Sequence, residues 1–174
     1  MSALLSPIPA VITTLETGEE VLADLDDALY CSVPTISTSS VGQHIRHILD
    51  HFDSVLQAVD QKIDYDARRR DHRVETDRQL AMNKISATVK ALASLDQRPD
   101  YLQRGVLVKS DNNSPAAGWT RSTLARELQY LFSHTIHHFA LVALLLRAQG
   151  IAPHPGFGVA PSTLRHWAHT SEQN

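Results

Sequence analysis

Four stretches of this chain set apolar residues at alternating steps of three and four, and that rhythm narrows the fold more than any other feature. In the first, Val11, Leu15, Leu22, Leu25 and Leu29 follow the pattern, with Gly18 in the one missing place. Side chains so spaced fall on one face of an α-helix, which predicts a helix over roughly 9–31. Val33-Pro34 interrupts it, and the Ser/Thr-rich stretch 35–40 offers N-caps for the next. A second helix over roughly 40–62 carries Val41, Ile45, Ile48, Phe52, Val55 and Val59 as its stripe, with histidines along its flank. Periodicity is lost over residues 63–74, where Asp64, Asp66, Arg68, Arg69, Arg70, Asp71 and Arg73 crowd around Tyr65 and predict a charged crossover loop. Thr76 or Asp77 can cap a third helix, which Met82, Ile85, Val89 and Leu92 carry to about residue 96. Residues 97–120 hold Pro99, Gly105, Pro115 and Gly118, and Val106-Leu107-Val108 suggests a short strand or hairpin. The last long helix starts near Ser122, runs through Leu124, Leu128, Leu131, Phe132, Phe139, Val142 and Leu146, and stops at Gly150. The expectation is an all-α single domain over residues 1–174, a four-helix bundle with long crossover loops. Residues 152–174 are expected to wrap the bundle as a tail with a turn at Ser162 to Trp167, anchored by Phe157 and Trp167.

Composition removes several classes of function. With 174 residues, 43% hydrophobic and 20% charged, the chain can bury a full core. The lone cysteine, Cys31, allows no internal disulfide and suits a reducing cytoplasm. Sixteen basic against nineteen acidic residues leave a formal charge of −3, far from the basic footprint of a nucleic-acid binder. The start Met-Ser-Ala-Leu-Leu-Ser-Pro has no basic n-region, and the longest apolar run, Phe139 to Leu146, falls far short of the roughly 20 residues a membrane span needs. The expected setting is therefore cytoplasmic, with no nucleic-acid or membrane partner.

Two histidine triplets mark the chemistry: His44, His47 and His51 on the second helix, and His134, His137 and His138 on the last. A helix advances about 100° per residue, so His134 and His138 point nearly the same way, as do His47 and His51. His137 is turned about 60° from His134 and about 100° from His138, and stands apart. On the second helix the wheel puts His44 and His51 nearer the apolar centre than His47, leaving the choice among them open. Divalent zinc, nickel or iron accepts neutral imidazole, and three protein ligands leave room for water or substrate. A di-iron carboxylate bundle would need Glu-x-x-His pairs, which these segments lack. The competing reading makes the histidines half-buried polar edges, and His72, His154, His166 and His169 are read as surface residues. Glu127, on the row of His134 and His138, is a candidate carboxylate partner for a ligand.

The segments Ser40-Val-Gly-Gln-His-Ile-Arg-His47-Ile-Leu-Asp-His-Phe52 and Glu127-Leu-Gln-Tyr-Leu-Phe-Ser-His134-Thr-Ile-His-His138-Phe139 resemble the DinB/YfiT-like superfamily of metalloenzyme-like proteins. The resemblance implies a four-helix bundle of that type holding a divalent metal through His47, His134 and His138, with His44 or His51 as alternates on the second helix. It further implies a thiol-dependent transferase or hydrolase acting on a small-molecule substrate, with a low-molecular-weight thiol as cosubstrate, and a homodimer, because such relatives often pair. The alternative is a non-catalytic metal-binding or stress-response module in which the metal is structural. No general base stands out, which leaves proton transfer to metal-bound hydroxide, His44, His137 or the substrate. The arginines of residues 65–73 are weighed as a clamp for an anionic thiol against a solvated charged loop.

Overall fold

The computed structural model describes residues 5–58, 60–109 and 118–171; Val59 and Pro115, used in the sequence reading, lie outside them. In order the chain forms α1 (Ile8–Ala23), α2 (Asp27–Cys31), α3 (Val41–Leu56), β1 (Lys62–Asp64), α4 (Arg73–Thr76), α5 (Arg78–Asp96), α6 (Pro99–Leu102), β2 (Gly105–Lys109), β3 (Thr120–Thr123), α7 (Leu124–Ala148) and α8 (Pro161–Ser171). The chain is mostly helical, as the apolar rhythm requires. Four long helices make the frame: α1 packs on α5 and α7, and α3 packs on the same two.

The caps explain where the helices begin. The Ser40 hydroxyl accepts from the Gln43 amide at 3.2 Å while the Gln43 side chain accepts from the Ser40 amide at 2.9 Å, a reciprocal box that starts α3. Asp77 accepts from the Leu80 amide to start α5, and Thr123 from the Arg126 amide to start α7. Gly150, at φ +82°, closes α7 in the left-handed conformation that a side chain disfavours.

Two expected helices are shorter than the sequence suggested. The first stops at Ala23, because the carboxylates of Asp24, Asp26 and Asp27 are unfavourable at a helix C-terminus. Asp26 instead accepts from the Leu29 amide at 2.7 Å and opens the separate turn α2. The second ends at Leu56, and Asp60 and Gln61 then take φ values of 51° and 60°, which no right-handed helix can contain. The expected loop 63–74 also carries structure: β1 pairs parallel with β2, Ile63 facing Val108, and β3 pairs antiparallel on the other side of β2. The Val106–Val108 strand expectation is met, within a three-stranded sheet.

The core runs between the long helices. Ile8, Val11, Leu15 and Leu22 of α1 meet Leu128, Leu131, Phe139, Val142 and Leu146 of α7, all nearly inaccessible. The missing apolar place on α1 has a reason, since a Cβ on Gly18 would overlap the Phe139 ring. Phe157 stacks on Phe139 with centroids 4.8 Å apart and ties the tail down as expected. Trp167, expected as a second anchor, keeps half its surface exposed on α8. Among the described residues α7 alone is long and apolar enough, by length and composition, to cross a bilayer; its apolar stripe is spent on this core.

Candidate metal centre

Packing α3 against α7 sets the two histidine-bearing flanks face to face. His47 Nε2 stands 3.0 Å from His134 Nε2, and His44 Nδ1 stands 2.9 Å from His138 Nδ1. The His138 ring centroid lies 4.5 Å from those of both His47 and His134. Nitrogens of His47, His51 and His134 all lie within 4.8 Å of one another. Five of the six triplet histidines thus share one cluster. His137 is exposed, its ring edge-on to His138, and so stands apart as its helical phase predicted.

His51 differs from its neighbours in how its nitrogens are used. Its Nδ1 donates to the His47 carbonyl at 2.8 Å, which leaves Nε2 as an acceptor, and Arg68 Nη1 donates to that atom at 2.9 Å. Both nitrogens of His51 therefore have partners, and the ring is 4% exposed.

Burial keeps the cluster neutral. It is the first cause of a pKa pushed below the usual imidazole value for each of His44, His47, His51, His134 and His138. His47 falls to about 2, with His51, His138 and His134 adding to the effect. His138 falls to about 3, with His134 and His44 behind burial, and His134 to about 4, with His137 and Arg68 behind it. His51 also falls to about 4, because burial and the Arg68 guanidinium outweigh its bond to the His47 carbonyl. Neutral imidazole is the form that binds a metal.

Two tyrosines to which the sequence reading gave no role complete the wall, and Glu127, expected as a carboxylate partner for a ligand, bonds elsewhere. Tyr130 stacks on His134 with centroids 5.5 Å apart, and Tyr65 lies 5.4 Å from His51. The Tyr65 hydroxyl donates to Glu127 at 2.9 Å, and the Ser122 hydroxyl donates to the other Glu127 oxygen at 2.6 Å. Glu127 is thus a buried acceptor for Tyr65 and Ser122, with no bond to a histidine among the described residues. A cleft of about 370 Å³ opens beside these groups, lined by Tyr65, Ser122, Arg126, Glu127 and Tyr130. The arginines of residues 65–73 are weighed from sequence as an anion clamp against a solvated loop, and the linear pattern does not single out Arg68 among them.

The donor set suits a divalent ion. Two imidazole nitrogens bound to one ion at about 2.1 Å stand roughly 3.0 to 3.4 Å apart, and the His47 and His134 nitrogens already meet that separation. A model of the DinB family matches residues 14–161. Among curated proteins, FK506-binding protein 5 of Rhizopus delemar is 30% identical over 107 residues, which are 60% of this chain and 27% of that protein. The chain thus spans about a quarter of the length of that relative.

Proposed function

The chain belongs to the DinB family, and from that premise we propose a divalent-metal-dependent enzyme, a thiol-dependent transferase or hydrolase, built on a four-helix bundle of the DinB/YfiT type. The observation that carries the reading is the His47–His134 pair, two neutral imidazole nitrogens 3.0 Å apart across α3 and α7. His138 is the third ligand in this reading. Its Nδ1 faces His44 while its Nε2 has no hydrogen bond among the described residues, whereas His51 has no nitrogen to spare. When bound, zinc, nickel or iron lowers the pKa of a coordinated thiol or water and so provides a nucleophile near neutral pH. His44 holds the His138 ring in orientation, as a partner on a ligand's second nitrogen does. Tyr65 and Tyr130 cover one side of the cluster and form the wall it shares with the neighbouring cleft.

Metal analysis of untagged protein tests the assignment. Wild type should hold one ion per chain, and His47→Ala, His134→Ala and His138→Ala should each lose it, while His51→Gln retains it. Stoichiometric metal in all three alanine variants would refute the site. Retention in His138→Ala together with loss in His51→Gln would instead make His51 the third ligand. A screen of low-molecular-weight thiols against electrophiles on the metal-loaded protein then tests the chemistry; turnover by none, with metal loss that unfolds the chain, would favour a structural ion.

A further inference from the structure

Arg68 carries the pair of N–H groups that grips a carboxylate, and the Nε of that pair has no hydrogen-bond partner. A guanidinium pairs side-on with a carboxylate through its Nε and Nη2. Arg73 shows the arrangement in this protein, its Nε and Nη2 each 2.9 Å from one oxygen of Asp71. In Arg68 the bond to His51 is made by Nη1, on a different edge. Its Nε is buried and has no hydrogen-bond partner, the one such side-chain atom among the described residues. A buried N–H of a charged group left unpaired costs more than an ordinary lost hydrogen bond, so the vacancy calls for an occupant.

The position says what the occupant does. Arg68 Nη1 touches His51 Nε2, and the His51 ring lies 4.4 Å from His47 and 4.5 Å from His134, centroid to centroid. An anion on the Nε edge of Arg68 would therefore lie one side chain removed from the proposed metal centre, with His51 between them. We infer that the Nε–Nη2 edge of Arg68 binds a carboxylate of the substrate or thiol cosubstrate one side chain away from the His47–His134–His138 centre, with His51 as the residue that positions the guanidinium. This rests on the proposed metal site for its meaning, while the carboxylate contact itself can be measured without metal. His51 then has a role distinct from ligation: its Nδ1 is fixed by the His47 carbonyl, so its Nε2 holds Nη1 and not Nε. Asp50 and Asp66 are the carboxylates that act on Arg68, and neither bonds to its Nε. Asp50 is engaged by Arg46 at 3.0 Å, and Asp64 accepts from the amides of Asp66 and Ala67.

The test follows the Nε–H signal of Arg68 by nitrogen-15 NMR in the full chain, assigned by its absence in Arg68→Gln, during titration with propionate and with propanamide. Both metal-free and zinc-loaded protein are used. The signal should shift with propionate, and binding should be at least tenfold tighter than for the amide. Arg68→Lys, which keeps the charge but not the edge, should lose most of that preference, and Arg68→Gln should show less than a twofold difference. His51→Ala should weaken the preference with metal content unchanged, and His51→Gln, which restores an acceptor, should recover part of it. An unmoved Nε–H signal in both forms, or an acid preference that survives in Arg68→Gln, overturns the inference even where the metal assignment stands. Failure to bind zinc, with the Nε–H response intact, overturns the metal reading alone.

Discussion

Acidification should destabilise the metal-free protein well above the pH at which carboxylates titrate, because the histidine cluster is folded in its neutral form. An imidazole titrates near 6.5 in an unfolded chain, while His51 and His134 are held down to about 4 in the fold, chiefly by burial. Between those values the unfolded chain binds more protons than the folded one, so stability falls as pH falls. The contribution is fully present above about pH 7 and drains away from about 6.5 toward 4. For one such group the loss between pH 7 and pH 5 is about 2 kcal/mol, or about 4 for the pair. Solvent at the mouth of the site screens the interaction, and halving the sum leaves about 2 kcal/mol. His44, His47 and His138 push the same way. Urea denaturation at fixed ionic strength, at half-unit steps from pH 7 to pH 5, reads the loss directly. His134→Gln should flatten the profile, since it removes one of the groups that must stay neutral. Saturating zinc should raise the stability at pH 7 far more than at pH 5, because protons compete for the same nitrogens. A stability that is level or rising on acidification to pH 5 would refute the claim that the cluster is buried and neutral.

Two further substitutions test how the site is held. Gly42→Ala places a Cβ against the Glu75 carbonyl and within 2.8 Å of the Tyr30 ring; because backbone cannot yield as a side chain does, it should cost about 3 kcal/mol in urea denaturation. A cost under about 1 kcal/mol would mean that α3 and α4 are not so closely apposed. Phe157→Ala removes a side chain that is 2% exposed and stacked on Phe139. It should cost about 3 to 5 kcal/mol and open the segment after Gly150 to limited proteolysis; unchanged cleavage would show that the tail is held elsewhere.

The sequence made the long helices legible because their burial is periodic, and a period survives without knowledge of the neighbours. Leu128, Phe139 and Leu146 face the core for the reason their spacing states, and Gly18 fills the missing place because Phe139 needs the room. The breaks were harder, since Asp26 reads as one more exposed helix residue until its carboxylate is seen to cap Leu29. The site was half legible. Helical phase brought His134 and His138 to one side and set His137 apart, and the wheel ranked His51 as more buried than His47, which it is. Burial, however, does not identify a ligand. His51 is the more buried ring because both its nitrogens are satisfied inside the protein, one by the His47 carbonyl and one by Arg68. That second partner comes from a charge run whose composition says solvent. It follows β1 in the chain, and β1 lies parallel to β2 through a pairing of Ile63 with Val108 that no local pattern encodes. The assignment of ligand and positioning roles among the α3 histidines therefore depends on a partner from outside α3 and α7, and it is at Arg68 that substitution should separate the two roles.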